Sequence, residues 1–136
     1  MAPVFLSLAE VLEIHQDQIE RYGGESGLRD LGLLHSALAM PAAGTGGGYV
    51  HEDLFEMAAA YLFHIVRNHP FVDGNKRTGA VAALVFLVLN GVEADAEEEE
   101  FEQAVVAVAE GRWGKSALTE FLRKHSHRRR SGRSRP

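Results

Sequence analysis

The segment Asn68–Gly79, "NHPFVDGNKRTG", concentrates polar chemistry in a short stretch immediately before one of the most apolar parts of the chain. His69 is the side chain here that can accept a proton near neutral pH. Asp73 is a carboxylate of the kind that holds Mg²⁺ jointly with phosphate oxygens. A base and a metal carboxylate at this spacing suit the transfer of a phosphorus-containing group to a hydroxyl.

The second half of the segment predicts a phosphate site. Gly74 allows the backbone to turn and to approach a ligand closely. Asn75 is a natural N-cap, so the first N–H groups of the following helix should point back into the loop and attract an anion. Lys76 and Arg77 add two positive charges at that point.

An ordinary helix connector is the alternative for this segment. Asp-Gly is a common turn, Asn a common cap and Pro70 a common helix stop. Lys76 and Arg77, however, would oppose the helix dipole unless an anion were bound there. A P-loop is rejected, because no Lys-Ser/Thr follows the second glycine and no strand precedes the segment.

The flanking sequence predicts an all-α fold, a single compact domain of about six helices. Ser7 and Glu10 form a capping box at the start of the first helix. The fourth helix is apolar on nearly every side, which predicts a central, buried helix. No strand pattern of useful length appears, apart from a possible extended pair at Tyr49–Val50. The six helices are predicted over residues 7–22, 30–40, 52–69, 75–90, 97–111 and 116–124.

Composition narrows the class of protein. The chain has 136 residues, 46% of them apolar, which suits one domain with one core. There is no cysteine, so neither a disulfide framework nor a thiolate metal site is available. No signal-peptide pattern appears, and the apolar run Val81–Leu89 is about half as long as a membrane span requires. We therefore expect a cytoplasmic protein with no membrane partner.

The charge is unevenly distributed along the chain. The net charge is −5, yet the tail His125–Pro136 contains five arginines and no acid. We predict a domain over residues 1–124 and a disordered basic tail over residues 125–136. An acidic domain with a short basic end is not expected to bind nucleic acid, except weakly through the tail.

The remaining histidines are assigned lesser roles. His64 is predicted to be a packed or partly exposed helix residue rather than a ligand. His15 and His35 have no partner at metal-binding spacing. His51 belongs to a predicted solvated helix start.

The central segment resembles the signature of the Fic/Doc family, His-Pro-Phe-x-Asp/Glu-Gly-Asn-Gly/Lys-Arg. Three further stretches are similar to the Doc (death on curing) branch of that family: "RYGG", "DLFEMAAAYLFHIVRNHPF" and "FLVLNG". The resemblance extends over nearly all of residues 4–124, and it implies the Fic/Doc-type helical domain.

The resemblance also implies roles for individual residues, with ATP and Mg²⁺ as cofactors. His69 matches the catalytic base and Asp73 the Mg²⁺ ligand. Residues 74–77, that is Gly74, Asn75, Lys76 and Arg77, match the loop that binds the nucleotide phosphates. Arg67 matches a basic residue near the same phosphates, and residues 44–50 fall where the family has a flap that holds the target chain extended.

Two positions bear on the reaction that the resemblance implies. AMP-transferring Fic enzymes generally have glycine and a second arginine where this chain has Lys76 and Ala80. Both departures resemble Doc, which transfers the γ-phosphate to a threonine of elongation factor Tu and thereby stops translation. Pro70 and Gly74, by contrast, look like the Fic consensus. AMP transfer therefore stays open as an alternative, as does a catalytically silent protein that only binds a partner.

Regulation by a separate protein is also implied. The inhibitory pattern of many Fic proteins, Ser/Thr-x-x-x-Glu-Gly/Asn, is absent: the nearest candidate, Glu110–Gly111, has Val106 where a hydroxyl is required. Doc is instead silenced by an antitoxin whose segment folds as a helix in a groove. The resemblance therefore implies that this chain is the toxin of a toxin–antitoxin pair.

Overall fold

The computed structural model describes residues 2–45 and 48–129 of the chain. These parts form six helices, which confirms the predicted all-α class and the existence of each predicted helix. None of these helices is long and apolar enough to cross a membrane. The helices are α1 (Leu8–Tyr22), α2 (Leu31–Ala39), α3 (Leu54–Asn68), α4 (Asn75–Leu89), α5 (Glu98–Ala109) and α6 (Lys115–Lys124).

Side-chain caps determine where the first three helices begin. The predicted capping box of α1 is present: the Ser7 hydroxyl accepts a bond from the Glu10 N–H at 3.1 Å, and the Glu10 carboxylate accepts one from the Ser7 N–H at 2.8 Å. The Asp30 and Asp53 carboxylates cap α2 and α3 with one bond each, accepted from the N–H groups of Leu33 and Glu56. These caps satisfy N–H groups that would otherwise have no partner within the helix.

Two helices, α3 and α4, form the centre of the fold. α3 packs against α2, α4, α5 and α6, whereas α4 packs against α1, α3 and α5. Gly79 allows α3 and α4 to approach closely, since a Cβ at that position would lie 3.0 Å from the Val66 side chain. The prediction of a central, buried α4 is confirmed, although Val88 is 39% and Leu89 46% exposed at its carboxyl end.

The core lies between these helices. Its large, fully buried side chains come from α1, α2, α3, α4, α5, α6 and the loop that joins α3 to α4. They are Val11, Leu34, Tyr61, Leu62, Ile65, Phe71, Phe86, Leu87, Val108, Leu118 and Leu122.

Two short antiparallel sheets are present, and the sequence indicated only one of their strands, since the possible extended pair at Tyr49–Val50 overlaps the second strand at Tyr49. β1 (Gly44–Thr45) pairs with β2 (Gly48–Tyr49), and β3 (Val92–Ala94) pairs with β4 (Ser126–Arg128). Strands of two or three residues are too short to show an alternating pattern.

The structure corrects the predicted boundary at residue 124. Residues 125–129 are ordered: the Asp95 N–H donates to the His125 carbonyl at 2.6 Å, and the Arg129 N–H donates to the Gly91 carbonyl at 2.8 Å. Composition alone suggested disorder, but the partner strand β3 lies more than thirty residues away in the chain. The remainder of the predicted tail, residues 130–136, lies outside the described residues.

Candidate active site

The loop between α3 and α4, residues 69–74, begins with an unusual backbone conformation. His69 ends α3 with φ 54° and ψ 54°, and it is the only non-glycine residue with positive φ in the part of the chain that the structure describes. This left-handed conformation costs about 1–2 kcal/mol for an ordinary residue. It turns the chain sharply and leaves the His69 side chain exposed at the mouth of a pocket.

Asn75 closes this loop, and its predicted role as N-cap is wrong. Gly74 occupies the N-cap position with φ 80°, and Asn75 is the first residue of α4. The buried Asn75 side chain accepts a bond from the Phe71 N–H and donates one to the Phe71 carbonyl, both at 2.9 Å. The Asn75 side chain therefore provides hydrogen-bond partners for both backbone groups of the buried residue Phe71.

The amino end of α4 has the features of an anion site. No side chain caps this end of the helix, and its first turn contains no acidic residue. The first turn does contain Lys76 and Arg77. Its free N–H groups carry the positive end of the helix dipole. Lys76 is exposed and Arg77 is half-buried.

The structure brings six of the seven predicted site residues together. They line a pocket of about 210 Å³ together with Val66 and Ala109. The six are His69, Asp73, Gly74, Asn75, Lys76 and Arg77.

Arg67 is the exception. Its guanidinium donates to the Val108 carbonyl near the end of α5 at 3.4 Å and lies 5.7 Å from the centre of the Phe63 ring. It does not line the pocket, so its predicted contact with the phosphates stays a prediction.

Two backbone N–H groups hold the Asp73 carboxylate. Glu25 N donates to one oxygen at 3.2 Å, and Gly74 N donates to the other at 2.8 Å. The bonds from Glu25 and Gly74, and to a smaller extent the charge of Arg77, lower the pKa of Asp73 below its ordinary value. The carboxylate is exposed and ionised at neutral pH.

A single exposed carboxylate fits one kind of metal site. Within residues 2–45 and 48–129, no group of three or more histidine and acidic side chains is arranged to hold a metal. Mg²⁺ usually keeps several waters and is bound by one or two carboxylates together with substrate phosphates. Asp73 beside the amino end of α4 therefore fits an ion that arrives with a nucleotide, and not a closed protein cage.

Arg77 links this site to α1. Its guanidinium donates to the Gly23 carbonyl at 2.9 Å and to the Gln18 carbonyl at 3.4 Å, and it lies 5.9 Å from the centre of the Tyr22 ring. The carbonyls at the end of a helix attract a cation. These carbonyls therefore hold the Arg77 guanidinium in place at the edge of the pocket.

Residues distant in sequence also contact the loop, and the sequence analysis missed them. His15 lies in the buried stripe of α1 with its Nε2 2.8 Å from the Asp73 carbonyl oxygen. Arg29 donates from Nε to the His69 carbonyl at 2.7 Å. A histidine within an apolar helical stripe was an available signal for the first, whereas nothing local marks Arg29.

Two other histidines lie between α3 and α6, away from the pocket. His64 packs beside Lys115, whose Nζ is 3.1 Å from its Nε2, so the predicted role as a packed residue is confirmed. Burial and then the Lys115 charge lower the pKa of His64 to about 4. His51 was predicted to be solvated, but it is only 7% exposed because the chain folds it against α6.

Comparison with known proteins agrees with this architecture. The sequence profile of the Fic/DOC family matches residues 5–87. "Toxin Doc" of Mycolicibacterium smegmatis (strain ATCC 700084 / mc(2)155) is 47% identical over 76 residues, which are 56% of this chain and 58% of that relative's length. "Protein kinase doc" of Escherichia phage P1 is 34% identical over 119 residues, which are 88% of this chain and 93% of the relative.

A helical domain with a His-Pro-Phe loop leading into an uncapped helix defines the class of protein. The chain belongs to the Fic/Doc family. Both relatives carry the name Doc, which agrees with the predicted branch. The match to the first of them extends over less than two thirds of its length.

Proposed function

We propose that this chain is a Doc-type toxin that transfers the γ-phosphate of ATP to a threonine or serine hydroxyl of a protein, with elongation factor Tu as the target. The observation that carries the proposal is the convergence of His69, Asp73, Lys76 and Arg77 on one pocket at the amino end of α4. The names of the two relatives, a toxin and a protein kinase, support it.

His69 acts as the general base in this proposal. Its exposed imidazole takes the proton of the target hydroxyl as that oxygen attacks the γ-phosphorus. The bond between the γ-phosphorus and the bridging oxygen breaks, and ADP leaves. The strained backbone of His69 fixes the direction in which the side chain approaches the hydroxyl.

Phosphate binding falls to the amino end of α4. Its N–H groups, Lys76 and Arg77 together oppose the negative charge of the triphosphate. Mg²⁺, held by Asp73 and phosphate oxygens, would neutralise further charge on the transferring group. Lys76 occupies the position where AMP-transferring relatives have glycine, and this favours γ-phosphate transfer over AMP transfer.

The test uses ATP labelled at either the α- or the γ-phosphate, with Mg²⁺ and purified elongation factor Tu. We expect label on the target from the γ position only. His69→Ala should lower the rate by about 10²–10⁴-fold because the base is lost. His35→Ala, at an exposed position on α2, is the matched control and should leave the rate unchanged.

Other outcomes separate the alternatives. Label from the α position alone would establish an AMP transferase and refute the interpretation of Lys76. Growth arrest by His69→Ala as strong as that of the unaltered chain, without label in a whole lysate, would establish a binding protein. Asp73→Asn should raise the Mg²⁺ concentration required for half-maximal rate, and an unchanged requirement would exclude Asp73 as the ligand.

We also propose that an antitoxin helix covers the site from one side. A groove of about 460 Å³ lies between α1, α4 and α5, with Val81, Leu84 and Phe101 along it and Lys76 and Arg77 at one end. An amphipathic helix in this groove would cover both cations. Leu84→Glu should abolish rescue of growth by a co-expressed antitoxin that neutralises the unaltered chain, while phosphate transfer persists. Rescue that survives this substitution would place the antitoxin elsewhere.

A further inference from the structure

The segment between α1 and α2 is hydrogen-bonded to the active-site loop along its backbone. The Arg29 N–H and the Asp30 N–H both donate to the Pro70 carbonyl, at 2.7 and 3.0 Å. The Val72 N–H donates to the Gly27 carbonyl at 3.0 Å. The segment between α1 and α2 is therefore paired with the active-site loop, although the two are about forty residues apart in sequence. These backbone bonds hold the loop in place.

The Arg29 side chain extends this pairing to the beginning of the loop. Its Nε donates to the His69 carbonyl at 2.7 Å, and its terminal nitrogen donates to the Asn68 carbonyl at 3.0 Å. The Asn68 carbonyl is the last of α3 and the His69 carbonyl belongs to its C-cap, so both lie at the helix end where a cation is favoured. The two bonds hold the peptide units on either side of the strained His69 backbone.

His15 on α1 holds the other end of the loop. It is only 5% exposed, and its ring stacks on Phe71 with centroids 3.8 Å apart and planes 7° apart. Its Nε2 lies 2.8 Å from the Asp73 carbonyl oxygen. Since a carbonyl oxygen only accepts, the proton of this bond is on Nε2.

We propose that Arg29 and His15 are positioning residues that act separately on the two reacting ends of the loop. Arg29 orients His69 toward the target hydroxyl, and His15 orients Asp73 toward the metal and its phosphates. The chemical part of this inference rests on the proposed function, whereas the positioning itself is a property of the loop.

The experiment measures two kinetic quantities in four variants: kcat at saturating Mg²⁺, and the Mg²⁺ concentration that gives half-maximal rate. Arg29→Ala should lower kcat about 10–100-fold with an unchanged Mg²⁺ requirement. His15→Phe preserves the aromatic stack but removes the donor, and should raise the Mg²⁺ requirement by about 10-fold or more.

Conservative variants test whether the hydrogen bonds are responsible. His15→Gln keeps an N–H donor and should recover most of the Mg²⁺ affinity. Arg29→Lys keeps the charge but cannot donate to both carbonyls, so it should recover kcat only partly. If Arg29→Ala and His15→Phe instead changed the same quantity to the same extent, the separate roles would be refuted.

Hydrogen exchange provides a measurement that does not depend on activity. Arg29→Ala should accelerate exchange of the His69 amide, and His15→Phe should accelerate exchange of the Gly74 amide, each without the other. Unaltered exchange in both variants, or uniform acceleration across the core, would overturn the proposal. If the unaltered chain transfers no phosphate, the proposed function fails. The exchange rates of the His69 and Gly74 amides still test whether Arg29 and His15 hold the two ends of the loop.

Discussion

At the scale of single residues, the site depends on close approaches that few side chains tolerate. The strained His69 backbone and the bonds of Asn75 to Phe71 shape the loop. Gly24, at the end of the α1 turn, has φ 115° and lies against the site: a Cβ there would be 2.7 Å from an Asp73 carboxylate oxygen and 3.2 Å from the Arg77 guanidinium. The absence of a side chain at Gly24 therefore leaves room for the Asp73 carboxylate and the Arg77 guanidinium.

Gly24→Ala should therefore weaken Mg²⁺ binding through displacement of Asp73. Gly23→Ala is the matched control, because Gly23 also has positive φ but a Cβ there would contact nothing within 4 Å. We expect both variants to lose a similar free energy of unfolding, about 1 kcal/mol, from the backbone strain. Only Gly24→Ala should raise the Mg²⁺ concentration required for half-maximal transfer. Equal Mg²⁺ requirements in the two variants would show that Asp73 adjusts freely.

At the scale of elements, α3 connects the site to the rest of the core. Its carboxyl end carries His69, and its middle packs against α6, where His64 meets Lys115. The short contact requires the His64 Nε2 to accept from the lysine ammonium, so His64 is neutral. Its lowered pKa, about 4, follows from burial first and from Lys115 second.

The His64 shift predicts a pH dependence of stability. Its pKa is lower in the folded chain than the ordinary 6.5, so the unfolded chain binds more protons between about pH 4 and 6.5. The free energy of unfolding should therefore fall as the pH drops through this window. His64→Gln retains an acceptor for Lys115 but does not titrate. It should therefore reduce the loss of unfolding free energy at low pH by on the order of 1 kcal/mol, a value that allows for solvent screening of the partly exposed ring.

Urea unfolding at pH 7 and pH 5 measures this difference. His35→Gln, on the exposed face of α2, should retain the pH dependence of the unaltered chain. The same loss of stability in the His64→Gln and His35→Gln variants would mean that His64 titrates normally in the folded chain.

At the scale of the whole molecule, the end of the described chain completes the fold. β4 returns to pair with β3, and the His127 Nδ1 lies 2.9 Å from the Asp95 carboxylate. The short sheet follows α4 directly and so joins the end of the central helix to the end of α6. The charge pattern that suggested a separate tail therefore begins inside the folded domain.

Two truncations test this boundary. A chain ending at Arg129 retains β4, and a chain ending at Lys124 lacks it. The shorter chain should be less stable by about 2 kcal/mol, because it loses several backbone hydrogen bonds worth about 1 kcal/mol or less each. Thermal or urea unfolding of the two chains gives the difference, and equal stabilities would show that β4 contributes nothing to the fold.

Local signals in the sequence determined the helices and most of the site. Caps such as Ser7 and Asp53 act on N–H groups three residues away, and apolar periodicity acts within one helix, so both are visible in a short window. His69, Asp73, Lys76 and Arg77 lie within nine consecutive positions, and a loop that leads into a helix must keep them together.

Only the tertiary structure decided what surrounds those residues. The contacts of His15, Gly24 and Arg29 with the loop join positions 40 to 58 residues apart, and no local pattern encodes such a pairing. The same reason explains the pairing of β4 and the burial of His51. Chemical groups that lie in one short segment can be recognised from the sequence of that segment. The orientation of the segment depends on packing between helices and loops, which only the folded chain defines.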